Sequence, residues 1–245
     1  MLYIPYFFGG LGNNLLQLNN AIELLKVNKI DLNFLKIVPK VGSRYKNRDV
    51  AFLFEGLEKH YITSNFLMQR RKRIPIKTIT YNKRSKIPNI NPRKSYIIYH
   101  CFHCYNPYLL YDYLNIFNKQ LIIRDKYKDI IDNNTIAFHI RRGDYTYLKD
   151  YKKYVRSDSS IINIIKKYSN NKILILTNGV DYIKNITKDF KNIIYASDLN
   201  LSLGDEFLLG SVCKSVIRNR YSSFSLCMYK FNRKYHHLLK GKTIN

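Results

Sequence analysis

The sequence predicts an α/β protein with two halves, each built from parallel strands and covering helices. Beyond residue 134, short apolar runs alternate with helical patterns, which is typical of a parallel sheet covered on both faces. The chain also opens with an apolar run, a glycine turn and a helical pattern. Hydrophobic residues make up 46% of the 245 residues, enough for a core in one large domain or two small ones.

The second half gives the most regular pattern. Ser157 and Asp158 predict the capped start of a helix that ends near Tyr168. The remaining predicted elements are strands at 135–140, 172–176, 192–195 and 215–217, and helices at 180–190, 204–213 and 223–231.

The first half is less regular. Residues 3–8 predict a short strand, the glycines that follow predict a turn, and residues 15–27 predict a helix. This order brings backbone amides close to a ligand. We also expect a strand at 96–99 and a tyrosine-rich helix at 107–118.

The densely basic stretch 69–86 predicts an exposed loop or strand edge. With these elements, we expect two Rossmann-like halves facing a central cleft. The N-terminal domain would comprise residues 1–133 and the C-terminal domain residues 134–245.

The net charge of +25 favours an anionic partner, and nucleic acid, an anionic membrane surface and a nucleotide-sugar all fit it. Richness in Lys, Asn, Ile and Tyr is also typical of an AT-rich genome, which is an alternative explanation for part of the charge. No apolar run is long enough to span a membrane, and the start lacks the basic region of a signal peptide. The four cysteines are too scattered for a disulfide framework, so we expect a cytoplasmic protein, with peripheral membrane contact left open.

The most informative motif is His139-Ile140-Arg141-Arg142-Gly143-Asp144-Tyr145, at the carboxyl end of a predicted strand. Ligands of open parallel sheets bind at such ends. Arginine can hold phosphate oxygens with two hydrogen bonds, and glycine allows a sharp turn. The alternative is a surface turn bonded to itself. His139 is either a core histidine or a proton shuttle.

This motif resembles the signature of the alpha-1,2-fucosyltransferases, glycosyltransferase family 11. The opening segment 9–17 is similar to the family's Gly-Gly-Leu-Gly-Asn-Gln pattern, and it departs at Asn14 and Leu16. Segment 99–108 is similar in pattern, with His103 where glutamine is usual. Segment 205–225 also matches, although the family's tryptophan pair is missing after it.

The resemblance implies a GT-B-like fold and a metal-independent, inverting transfer of L-fucose from GDP-β-L-fucose. The acceptor would be a hydroxyl of a glycan, O2 of a galactoside in the named family, and no cofactor would be needed. Negative charge builds on the departing diphosphate, and a preorganised arginine stabilises it. The motif position assigns that role to Arg141.

The resemblance also orders the remaining candidates by role. Asp144 is the candidate base for the acceptor hydroxyl, or it holds the arginines. Arg142 is a second donor contact or a partner of Asp144. The full set comprises the catalytic pair Arg141 and Asp144, the donor-binding residues His139, Arg142, Gly143, Asn219, Ser222, Ser223 and Ser225, and the cleft-loop residues Gly9, Gly10, Gly12, Asn13 and His103.

Three other functions compete with this one. The pair Cys101 and Cys104 resembles half a zinc site, but a second close pair is missing from the sequence. The charge and the 22 tyrosines fit a nucleic-acid-binding protein, which the lack of any recognised binding signature disfavours. The missing tryptophan pair fits a decayed transferase that binds a nucleotide-sugar without turnover.

Overall fold

A computed structural model describes residues 1–4, 10–37, 57–61, 76–80, 88–99 and 108–242. The chain divides into two compact units, Met1–Asn115 and Ile116–Asn245. No helix in these described segments is long and apolar enough to cross a bilayer.

The first unit is built on a parallel four-stranded sheet. Its strands are β1 (Leu2–Ile4), β2 (Leu35–Ile37), β3 (Ile76–Thr80) and β4 (Ser95–Tyr99), in the order β2-β1-β4-β3. Strand β3 lies at the sheet edge and exposes Lys77 and Thr78, as the basic composition around it predicts.

The α-helices described in this unit are α1 (Leu11–Val27) and α2 (Tyr108–Tyr113), and they pack against each other. The buried Asn19 side chain on α1 accepts a hydrogen bond from the Leu110 N–H of α2, at 3.0 Å. Helix α1 begins after Gly10, which provides no side-chain cap, so its first N–H groups depend on other acceptors.

The second unit holds the other parallel sheet. Its strands are β5 (Ile136–Ile140), β6 (Ile173–Thr177), β7 (Ile193–Tyr195) and β8 (Ser215–Ile217), in the order β7-β6-β5-β8. In the central strand β5 every residue is buried, as expected for a strand covered on both faces. The register pairs Phe138 with Ile175 and with Ile217.

Five helices are described in this unit: α3 (Ile116–Lys126), α4 (Asp158–Lys167), α5 (Val180–Thr187), α6 (Leu203–Val212) and α7 (Ser223–Lys242). On one face, Ile161, Ile165 and Ile183 from α4 and α5 pack on the sheet through Phe138 and Ile175. Helix α6 contacts the sheet and packs against both α3 and α7. The core of the unit therefore lies on both faces of β5 and β6.

Most predicted elements of the second half lie within a few residues of the observed ones. The predicted cap is confirmed, since the Ser157 side chain accepts a hydrogen bond from the Ser160 N–H, at 3.3 Å. The helix expected at 107–118 is instead two helices, because Asn115 adopts a left-handed conformation (φ 50°) and ends the first. Helix α3, which precedes the boundary expected at residue 133, packs against α6 of the second unit.

Candidate functional site

The carboxyl edge of the second sheet gathers the motif residues. Strands β5 and β8 are parallel neighbours, so the segments that follow them leave the sheet at the same edge. Arg141 follows β5 directly, and Asn219 follows β8 by two residues. Helix α7 begins shortly afterwards at Ser223. This edge therefore combines two arginines with the positive end of a long helix.

His139 lies inside β5 and is 6% exposed. Burial lowers its pKa to about 3, and the nearby positive charge of Arg141 lowers it too. The imidazole is therefore neutral at physiological pH. Its ring lies 5.2 Å from that of Phe224 on α7, and its Nδ1 atom is buried with no hydrogen-bond partner in the described part of the chain. Such unpaired buried atoms are uncommon and point to a functional or ligand-dependent role.

The two arginines of the motif have different surroundings. The Arg142 Nη1 atom lies 3.2 Å from Asp158 Oδ1 at the start of α4, and its guanidinium lies 3.5 Å from the centre of the Tyr182 ring. The Arg141 guanidinium lies 5.0 Å from the Tyr145 ring. Arg142 is therefore committed to a structural cluster with α4 and α5. The side chain of Asp144 lies outside the described residues.

Gly143 allows a close approach between the ends of β5 and β6. A Cβ atom at this position would lie 2.3 Å from Asn178 Nδ2. The Asn178 side chain accepts a hydrogen bond from the Arg142 N–H, at 2.9 Å. Glycine thus lets Asn178 hold the backbone of the two arginines.

The segment from Asn219 to Ser225 forms a compact turn before and into α7. Asn219, Ser222 and Ser225 are buried. Ser222 Oγ accepts from the Ser225 N–H at 3.5 Å, and Ser225 Oγ donates to the Asn219 carbonyl at 3.0 Å. The N–H groups of Ser223 and Phe224 precede these bonds in the first turn of α7, where a helix offers no acceptor of its own. The serines therefore cap the helix and leave two of its amides available to an anion.

Tyrosines tie this turn to the arginine motif. Tyr145 Oη donates to the Tyr221 carbonyl at 3.1 Å, and the Tyr221 ring stacks on Tyr154 with centroids 3.7 Å apart. Asn219 Nδ2 donates to the Tyr154 carbonyl at 3.4 Å. The donor-binding residues predicted from the second half thus lie in one place.

Sequence reasoning did not identify Arg156 as part of this edge. Its Nη2 atom donates to the Arg218 carbonyl at 3.0 Å, directly after β8, and its guanidinium lies 5.8 Å from the Phe138 ring. Burial lowers the pKa of this guanidinium, and its Nε atom is buried without a partner in the described segments. No motif surrounds Arg156 in the sequence, so only the fold reveals it. Asn178 could have been found, because it follows a predicted strand.

The remaining candidates belong to the first unit or lie outside the described residues. Gly10 precedes α1, and Gly12 and Asn13 lie in its first turn. Gly9, His103, Cys101 and Cys104 lie outside the described residues. The other cysteines, Cys213 and Cys227, are buried thiols outside any disulfide, and burial raises the pKa of Cys213 to about 12. The described residues contain no group of three or more His, Cys, Asp or Glu side chains that could hold a metal.

Comparison with known families decides the assignment. The sequence matches glycosyl transferase family 11 over residues 58–229, which is most of the chain. The chain belongs to glycosyl transferase family 11. The resemblance noted in the motif at 139–145 is therefore confirmed, and the matched range includes this motif and the turn before α7. At the level of sequence, no curated protein matches this family 11 member.

The solved structures with a similar fold include fucosyltransferases. POFUT1 in complex with GDP-fucose has a TM-score of 0.55 and 10% identity, with 96% of this chain and 94% of that chain covered. Fucosyltransferase NodZ from Bradyrhizobium has a TM-score of 0.52 and 12% identity, with coverages of 95% and 91%. NodZ alpha-1,6-fucosyltransferase soaked with GDP-fucose has a TM-score of 0.51 and 13% identity, with the same coverages.

At these identities the similarity concerns the fold. It confirms, for this family 11 chain, the predicted GT-B-like α/β fold with two parallel sheets.

Proposed function

We propose that the protein transfers L-fucose from GDP-β-L-fucose to a hydroxyl of a glycan acceptor. The observation that carries this proposal is the joint position of Arg141 and the amino end of α7 at one sheet edge. Membership of family 11 and the GDP-fucose bound by fucosyltransferases of the same fold support the donor.

Two positive groups would stabilise the leaving GDP. As the glycosidic bond breaks, negative charge develops on the β-phosphate, and a preorganised guanidinium lowers the barrier. We assign this role to Arg141 by its position in the family motif, whereas Arg142 contacts Asp158 and Tyr182. The amides of Ser223 and Phe224, at the positive end of α7, would receive phosphate oxygens.

Neutral His139 fits a positioning role in this site. Its low pKa removes it as an acid or as a cationic phosphate ligand near neutral pH. Its unpaired Nδ1 atom can instead form a hydrogen bond with the bound donor or hold the donor pocket beside Phe224.

The finer features of the reaction form part of the same proposal. We propose inversion at the anomeric carbon, with Asp144 as the base that accepts the proton of the acceptor hydroxyl. Arginine and helix amides supply the charge stabilisation that a metal would otherwise give, so we propose that no metal is required. O2 of a galactoside is the proposed acceptor position. The buried cysteines Cys213 and Cys227, neither of them in a disulfide, support the proposed reducing, cytoplasmic location.

The experiment compares Arg141→Ala with wild type in a GDP-release and fucosyl-transfer assay using galactoside acceptors. We expect a loss in kcat on the order of a hundred- to a thousandfold, with the melting temperature unchanged. Arg93→Ala, at an exposed arginine of the first unit, is the matched control and should keep full activity. Activity in Arg141→Ala above about a tenth of wild type would overturn the assignment of the leaving-group stabiliser.

Two further readouts separate the competing functions. Saturable thermal stabilisation by GDP-fucose without turnover would identify a non-catalytic binding protein and overturn the proposed transfer. Inhibition by EDTA that manganese or magnesium reverses would overturn metal independence alone.

A further inference from the structure

A second concave site lies at the opposite edge of the second sheet. The cavity has a volume of about 1000 Å³, and all its lining residues belong to the second unit. It lies beside the ends of α3 and α6, the segments leading into β5 and β8, and the carboxyl half of α7. Strand β5 separates this amino edge from Arg141, a distance of roughly 15–20 Å.

The walls of the cavity are strongly basic. Arginines and lysines from four different segments line it, namely Arg124, Lys128, Lys214, Arg233 and Lys240, together with His236 and His237. The only lining carboxylate among the described residues is Asp132. Such a concentration of one charge sign in a concavity raises the local concentration of anions.

Several of these cations are held in place by neutral groups. Arg124 donates to Tyr235 Oη at 3.1 Å and to the Asn133 side chain, and Lys214 Nζ donates to Asn134 Oδ1 at 2.8 Å. These contacts orient the charges but do not neutralise them.

The carboxylate of the cavity is already paired. Asp132 Oδ2 lies 3.4 Å from Lys172 Nζ. Burial alone would raise the pKa of Asp132, but hydrogen bonds from the Asn134 N–H, Thr135 and Lys172 outweigh burial and lower it. Asp132 is therefore ionised and engaged outside the set of lining cations. Lys128 has a carboxylate partner of its own, exposed Asp125, at 3.4 Å.

The carboxyl end of helix α6 does not need the lysines and arginines of the cavity as caps. At the end of α6, the Cys213 carbonyl already accepts from Asn232 Nδ2 at 2.6 Å and from His236 Nε2 at 2.8 Å. These two side chains serve the helix end, so the cap does not require lysines or arginines of the wall such as Lys214 and Arg233.

We propose that this cavity binds a phosphate-bearing anion at a site separate from the donor site. The volume matches the upper part of the range of ligand pockets, roughly 300–1,000 Å³. Guanidinium and ammonium groups on several sides are the donors that phosphate oxygens prefer. Ile131, Val212 and Leu239 add an apolar part to the wall, which suits an organic group attached to the phosphate.

Titration calorimetry with inorganic diphosphate tests the site. The variants are a cavity triple, Lys214→Gln/Arg233→Gln/Lys240→Gln, and a control triple at exposed lysines elsewhere, Lys166→Gln/Lys188→Gln/Lys191→Gln. Both triples are made in the Arg141→Ala background, so that the donor site contributes less to diphosphate binding. We expect at least a tenfold weaker diphosphate affinity in the cavity triple, and no change in the control triple. Diphosphate binding should persist in Arg141→Ala, which separates this site from the donor site.

A variant with a single charge reversal serves as a control in case the triple variant misfolds. Arg233→Glu changes one exposed side chain and should also weaken diphosphate binding, with an unchanged melting temperature. Diphosphate binding that the cavity variants retain in the Arg141→Ala background, or that Arg141→Ala alone abolishes completely, would overturn the proposal.

Vesicle sedimentation distinguishes the two sources of phosphate. The vesicles contain phosphatidylcholine, with or without about one third phosphatidylglycerol. If wild type sediments with the anionic vesicles and the cavity triple does not, the result supports a lipid headgroup as the ligand. If wild type binds diphosphate but does not sediment with the vesicles, the result supports a soluble phosphate compound. Equal sedimentation of both triples would overturn the headgroup source.

Discussion

The two edges of the second sheet are both basic, but they are built differently. At the carboxyl edge the polar groups are buried and interlocked, with His139 and Ser225 within the core and Arg142 between Asp158 and Tyr182. At the amino edge the cations lie around an open cavity and are oriented by neutral partners. The contrast teaches that positive charge alone does not define a catalytic site. Preorganisation distinguishes the carboxyl edge, and a cluster of basic side chains around a cavity distinguishes the amino edge.

The largest expected difference between the two edges is in how the free energy of unfolding depends on pH. His139 keeps a pKa of about 3 in the folded protein, against an ordinary value of 6.5. As pH falls below 6.5 the unfolded chain binds a proton that the folded chain rejects, so stability decreases down to about pH 3. The loss between pH 6.5 and pH 5 should be roughly 2 kcal/mol.

Urea unfolding at several pH values measures this loss, and His139→Gln should remove most of it. His237→Gln, at the exposed histidine of the amino edge, is the matched control and should leave the slope unchanged. Equal slopes in wild type and His139→Gln would show that the carboxyl edge is not distinguished by this buried group.

A smaller effect is expected from the structural arginine of the motif. Arg142→Ala removes an ion pair to half-exposed Asp158 and a cation–π contact with Tyr182, so it should lower the free energy of unfolding by about 1 kcal/mol. The exposed Arg233 of the amino edge offers the comparison, since Arg233→Ala should leave stability unchanged. Chemical denaturation of both variants measures the difference, and a loss of equal size at the two sites would contradict the contrast.

The smallest effect concerns the turn that supports the arginines. In Gly143→Ala the new methyl group displaces the Asn178 side chain from its hydrogen bond with the Arg142 N–H, at a cost of about 1 kcal/mol or less. Because Arg141 adjoins this turn, the fall in kcat for fucosyl transfer, expressed as a free energy of activation, should exceed the loss in the free energy of unfolding. Gly179→Ala, whose Cβ would meet Arg142 Cβ at 3.1 Å, should be milder. Transfer assays on both variants test whether Gly143→Ala loses more activity than Gly179→Ala. Unchanged activity in Gly143→Ala would contradict this prediction.

Local signals in the sequence predicted much of the second unit. Ser157 predicted the start of α4, and the fully apolar runs predicted β5 and β6, because capping and burial act over a few residues. The signal at Asn115 was weaker: asparagine tolerates a left-handed backbone but does not require it, so the break between α2 and α3 was missed. Helix α7 runs to Lys242, beyond the predicted end at 231. In this additional part, buried Tyr235 packs against Phe117, and Asn232 caps the end of α6.

The sequence by itself determined the family, the α/β class and the motif from His139 to Tyr145, because these depend on the order of residues along the chain. Only the tertiary structure decided that Arg142 pairs with Asp158, that Arg156 lies beside the end of β8, and that the two edges bear separate basic sites. The physical reason is distance along the chain: Arg124, Lys214 and Lys240 meet only when α3, the strand β8 and α7 have packed together. Composition sets the sign and the number of the charges, and only packing determines where on the protein they lie.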